Sequence, residues 1–249
     1  MKSLDCLSGK SISLLHQNRL LIPLVKAEIE RKELLTINLD NEIKESVKEE
    51  FFKKSGINSP EEEENWLKKN NVDTLDLEYF ILKDIRTKKY SEKKFNNKIE
   101  SHFLERKNNL DVIIYSLIRV QDKYKANEIY LRIIEKESSL GDLAFKYSEG
   151  VEQNTRGIIG PIPVGSAHQD LAKHLRALKP GEIKPPIKIG NSFLVVRLES
   201  LIPAKLDKFM RERMARELFN NWLEKEARQI SKHLVDHQHV NVEKSNFDD

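Results

Sequence analysis

Glycine and proline are confined almost entirely to one stretch of this chain. Apart from Gly9, Gly56, Pro23 and Pro60, every glycine and proline falls between positions 141 and 203. Long segments without either residue favour helix, because these two carry the largest penalties in a helix interior. Dense turn formers instead punctuate a compact mixed domain. The expected layout is therefore helical, then mixed, then helical again.

The apolar spacing supports this division. Leu21, Val25 and Ile29 recur at helical intervals. A second helix is expected from Asp40 to Lys54 with Ile43, Val47, Phe51 and also Phe52 as candidates for the inward face, ended by Ser55-Gly56. Ser59-Pro60-Glu61-Glu62 reads as a helix start, with Ser59 as N-cap, Pro60 in first position and Glu62 closing a capping box. Asp73 should cap the next helix, burying Leu77, Phe80, Ile81 and Ile85. Another is expected over Glu92 to Glu105 with Phe95, Ile99 and Phe103 buried. The last segment predicts one long helix from Lys205 to Val235, followed by a frayed polar tail. Its apolar stripe of Leu206, Met210, Met214, Leu218 and Trp222 needs a partner, and the N-terminal helices are the natural one. Trp66 and Trp222 are expected in the core between those two parts.

The composition removes several classes of function. At 249 residues the chain can bury a sizeable core. It is 33% charged, but the signs nearly cancel to +3, which argues against nucleic acid as partner. The single cysteine, Cys6, precludes an internal disulfide and a cysteine zinc site. Set in an irregular start, it reads as incidental rather than nucleophilic. Membrane insertion is not expected, because no apolar run reaches the ~18 residues of a span. The first residues lack a clean apolar leader. The expectation is a soluble, cytoplasmic protein, with an exported location left open.

The middle segment alternates elements. Val112 to Val120 is strongly strand-forming, and Lys123 to Ser138 is an amphipathic helix. Leu140 to Tyr147 is a shorter helix, Gly157 to Pro161 a brief extended piece, and Gln169 to Leu178 a third helix. Ile183 to Ile189 and Ser192 to Glu199 read as strands joined by a tight Gly190-Asn191 turn.

In order along the chain come Gly141-Asp142-Leu143-Ala144, Lys146-Tyr147-Ser148, Arg156-Gly157-Ile158-Ile159-Gly160, Leu178-Lys179-Pro180-Gly181-Glu182-Ile183 and Gly190-Asn191-Ser192-Phe193-Leu194-Val195-Val196. This series, over residues of about 110 to 200, resembles the parvulin-type peptidyl-prolyl isomerases. The flanking helices resemble the chaperone part of SurA-like and trigger-factor-like proteins. The resemblance implies an α+β fold: a parvulin-like domain with a sheet of about four strands flanked by helices (110–202), inserted in a mostly helical chaperone-like domain. That domain would comprise 1–109 and a C-terminal helix over 203–235, with a polar tail at 236–249.

Carried over by position, the family's two strand histidines fall at Ser116 and Ser192. Its cysteine or aspartate falls at Gly150, and the acid of its glycine loop is missing from Gly157-Ile158-Ile159-Gly160. The proline pocket falls on Ile159, Ala167 and Leu171, with Phe193 added as a substrate-binding residue. Ser116 and Ser192 would pair across adjacent strands as the histidines do. His168 is either a replacement polar group at the pocket rim or an exposed helix-start residue. No cofactor and no metal are implied. His233, His237 and His239 form a possible metal set, but no acid or cysteine is tied to them. Met210 and Met214 read as core, with a client-binding surface as the alternative.

Two functions follow from the resemblance. One is an isomerase-type foldase acting on unfolded or extended proline-containing polypeptides. The other is a chaperone or escort that uses a degenerate parvulin domain only to bind peptide.

Overall fold

The computed structural model describes residues 4, 6–57 and 59–245, with side chains as far as Asp236. In chain order, helices α1 (Gly9–Gln17), α2 (Leu21–Leu35), α3 (Asn41–Lys54), α4 (Pro60–Asn70), α5 (Thr74–Phe95) and α6 (Ile99–Leu110) precede strand β1 (Val112–Val120). Then come α7 (Lys123–Ile134), α8 (Leu140–Tyr147), β2 (Ile158–Pro163), α9 (Gln169–Arg176), β3 (Ile183–Ile189), β4 (Ser192–Ile202) and α10 (Lys208–Ser245). The fold is α+β. Its contacts separate two compact units, one running to Ile99 and resuming at Asp207, the other spanning Glu100–Leu206.

The helical unit starts its helices with local side-chain caps. Ser8 accepts from the Ser11 amide at 3.1 Å, Ser59 from Glu62 at 3.2 Å and Asp73 from Asp76 at 2.7 Å. Each satisfies a donor that the first helical turn leaves without a backbone partner. Ser8 opens α1, a helix the sequence reading did not include. Helix α10 packs against α2 and α5. There Leu21, Val25, Ile29 and Leu34 meet Phe219, Leu223 and Ala227 in a single core. Aromatic rings tie it together: Phe219 lies edge-on to Tyr90 at 5.4 Å and stacked on Trp222 at 6.0 Å. The Lys94 ammonium sits 3.3 Å from the Trp222 ring centre, and the Tyr90 hydroxyl donates to Glu33. Burial and that carboxylate together raise the Tyr90 hydroxyl pKa well above its ordinary value.

Several sequence expectations are corrected here. Trp66 does not join the core with α10; it lies edge-on to Phe51 of α3, 5.6 Å away. On α5 the inward residues are Leu77, Tyr79, Leu82, Arg86 and Tyr90, while Phe80 is 60% exposed. No helix starts at Glu92, because nothing in the sequence interrupts α5 before Phe95. A short 3-10 turn over Asn96–Lys98 separates it from α6. Met214 is fully buried. Helix α10 continues past Val235 to Ser245, and the side chains of His237 and His239 lie outside the described residues.

In the second unit the strands form one antiparallel sheet in the order β2-β1-β4-β3. One face carries Ile113, Tyr115 and Leu117 of β1 with Leu194, Val196 and Leu198 of β4, covered by Leu171, Ala172 and Leu175 of α9. The other carries Ile118, Val120 and Val195, covered by Ala126 and Ile129 of α7 and by Leu140, Leu143 and Ala144 of α8. Helix α6 belongs to this unit rather than to the N-terminal helices. Arg176 donates to the Asn108 carbonyl at 3.1 Å and to the Asn109 side chain at 2.6 Å, fixing the end of α6 beside α9.

Candidate functional site

The α9 face of the sheet is where the expected pocket residues meet. Ile159 lies opposite Tyr115 in the β1–β2 ladder. Ile159, Ile162 and Ala167 are partly exposed and pack on a floor that includes Leu171, Leu117 and Leu194. Leu171 is only 4% exposed, so it supports this surface from beneath. The result is a partly exposed apolar patch, termed the seat below, made by β2, the turn after it and α9. Gly157 makes the approach of β2 possible. Its φ is +85°, and a Cβ there would sit 2.9 Å from both the Ala144 methyl and the Leu117 carbonyl oxygen.

Strand geometry separates the residues expected to supply polar chemistry. Along β1, side chains alternate between faces. Tyr115 and Leu117 point to the seat, so Ser116 points away, beneath α7 and α8. Ser116 is 2% exposed; its hydroxyl donates to Glu199, which also accepts from Arg197 at 2.8 Å. Phe193 pairs with Val120 and packs on the same far side. It is therefore not part of the seat.

Ser192 pairs with Ile189 at the β3–β4 hairpin, and Ser116 pairs with Arg197. Ser192 and Arg197 are five residue steps apart along β4, or roughly 17 Å at strand spacing. Ser116 and Ser192 thus sit on opposite faces and do not bond to each other. By alternation Ser192 is on the seat side with Leu194 but at the hairpin end of β4, while on β1 the seat side next to Ser116 is held by Leu117. His168 is the N-cap of α9: its Nδ1 accepts from the Asp170 amide at 3.3 Å, and the ring is largely exposed. Lys173 bonds Asp170 and holds that carboxyl below its ordinary pKa.

One polar group beside the seat was not anticipated. Glu152 lies in a 3-10 turn at Val151–Thr155, against the edge of β1 beyond the end of β2, and its side chain is 1% exposed. It accepts from the Ser148 hydroxyl at 2.8 Å and lies 3.5 Å from the Arg119 guanidinium. The Ser148 hydroxyl in turn accepts from the Arg119 amide at 3.0 Å. Burial and the Glu152 charge raise the pKa of the Tyr115 phenol, which Arg119 partly opposes. A glutamate in a polar loop gives no sequence signal of burial; the only hint is the glycine two positions earlier.

Among the described residues, no group of three or more His, Cys, Asp or Glu side chains could hold a metal ion. Nor is any helix among them long and apolar enough to cross a membrane.

Comparison with known proteins places this unit. Residues 118–200 match the family model described as rotamase, PPIC-type PPIASE domain. The foldase protein PrsA of Caldanaerobacter subterraneus subsp. tengcongensis is 26% identical over 163 residues. That alignment covers 65% of this chain and 50% of the relative, so the chain spans about half the length of the curated relative it matches. Among solved structures, the PrsA peptidylprolyl isomerase of Bacillus cereus aligns with a TM-score of 0.49 at 16% identity, covering 93% of this chain and 88% of that one. The Bacillus anthracis PrsA aligns at 0.43 and 19%, covering 90% and 97%. A structure from a study of two SurA-like chaperones of Campylobacter jejuni, one described as periplasmic, aligns at 0.37 and 18%, covering 93% and 94%. Over residues 118–200 this chain is similar to the PPIC-type PPIase domains.

Proposed function

We propose that the protein is a foldase whose sheet unit binds extended, proline-containing polypeptide and accelerates rotation about X–Pro bonds. The observation that carries this reading is the partly open apolar seat of Ile159, Ile162 and Ala167 over Leu171, inside the PPIC-type domain. Rotation about a peptide bond faces a barrier of about 18–20 kcal/mol, and X–Pro bonds exchange unaided in tens to hundreds of seconds. No covalent bond is made and no proton need move. A planar amide is the more charge-separated state and is well solvated by water. An apolar seat that strips this solvation favours the twisted, less polar amide. About 1.4 kcal/mol of such selectivity gives a tenfold rate gain. A seat without histidines is therefore chemically sufficient for modest catalysis.

The same seat would also hold a peptide without turning it over, and its wholly apolar floor of Leu117, Leu194 and Leu171 favours that second reading. Both readings place the proline ring at one location. Titrating the isotope-labelled protein with an Ala-Pro-containing peptide is expected to shift the amide signals of Ile159, Ile162 and Ala167. Those of Ser116 and Phe193 should stay unmoved. Shifts confined to the Phe193 side, or none at millimolar peptide, would overturn the assignment of the seat.

A further inference from the structure

Glu152 is a buried carboxylate in a unit whose other enclosed side chains are almost all apolar, and enclosing a charge is costly unless it is paired and bonded. Its partners are specific. Ser148 donates to it, and Arg119, whose side chain is 45% exposed, reaches it from outside. Arg119 continues the alternation of Tyr115 and Leu117 on β1, and its partner across the sheet is Leu194, on the floor of the seat. The guanidinium therefore stands at the rim of the seat with its inner end held and its outer end in solvent.

The space Glu152 fills is set by Gly150. A Cβ at Gly150 would collide with both carboxyl oxygens of Glu152. Yet the Gly150 backbone is extended, with φ −115° and ψ 176°, a conformation open to any residue. The clash at Gly150 is thus with the movable end of the Glu152 side chain and is not imposed by the backbone. A side chain at 150 and the carboxylate of 152 are alternatives for one location.

On the reading above, the site must hold the chain on one side of the bond that turns. We propose that Glu152 is the positioning residue of this site. It takes the place of a side chain at 150 and clamps Arg119 so that the guanidinium donates to a backbone carbonyl of the bound peptide. Catalysis then depends on a carboxylate in that space, whichever position supplies it.

The test is a set of variants of the full chain, measured by NMR exchange on a proline peptide, with amide exchange of β1 as the check of folding. Glu152→Ala is expected to lower kcat/KM on the order of tenfold, as loss of one orienting interaction does. Gly150→Asp combined with Glu152→Ala should restore most of it, and the neutral pair Gly150→Asn with Glu152→Ala should not. Full activity in folded Glu152→Ala, or equal activity in the Asp and Asn pairs, overturns the inference and leaves the proposed function standing. If Glu152→Ala does not fold, the Asp and Asn pairs still decide. No acceleration by the wild-type chain removes both proposals.

Discussion

Replacing Phe219 with alanine is expected to destabilise the helical unit by about 3–5 kcal/mol, the range for emptying a fully enclosed aromatic site. The ring has no exposed surface and is braced by Tyr90 and Trp222. Neither neighbour can move into the space easily. Tyr90 is tied by its hydroxyl to Glu33, and Trp222 is held under Lys94. Both tryptophans, Trp66 and Trp222, belong to this unit. Urea unfolding followed by tryptophan fluorescence therefore reads it selectively. A loss below about 1 kcal/mol would mean that the core around α10 is not packed as described, since such a loss is ordinary for a surface position.

The second large effect belongs to the sheet unit. Gly157→Ala places a side chain at φ +85°, where the left-handed backbone costs about 1–2 kcal/mol. It also drives a methyl into Ala144 and the Leu117 carbonyl, and overpacking of this kind adds about 1–3 kcal/mol. The combined loss is about 2–5 kcal/mol. Amide exchange in β1 and β4 should rise by the corresponding factor while tryptophan fluorescence stays unchanged. Native protection in β1 would show that β2 and the Val151–Thr155 turn do not close on the sheet through this glycine.

Much of the framework is legible in the residues. Val112 to Val120 is a run of β-branched and apolar side chains with one outcome, and Gly190-Asn191 ends β3 where a hairpin must turn. The caps at Ser59 and Asp73 act over three residues, so a local reading finds them. The inward face of α5 is harder, because Tyr79 and Arg86 bury long amphipathic side chains that a count of apolar residues omits. The site is harder still. A strand alternates its faces every residue, so a displacement of one position sends a side chain to the wrong side of the sheet. That is why Ser116, one residue from the seat-facing Leu117, ends beneath α7 and α8. The burial of Glu152 is not legible locally because Arg119, 33 residues earlier, meets it only after folding.

The most direct test of the account is the rate of cis/trans exchange in a short Ala-Pro peptide, followed by NMR with and without stoichiometric full-length protein. An apolar seat that strips solvent from the X–Pro amide predicts at least a tenfold acceleration, equivalent to about 1.4 kcal/mol of selective stabilisation of the twisted state. Substituting Ala167 with aspartate should remove it, since a charge at the seat restores solvation of the planar amide. Equal exchange rates in the presence and absence of the protein would contradict the claim that this unit turns prolyl bonds.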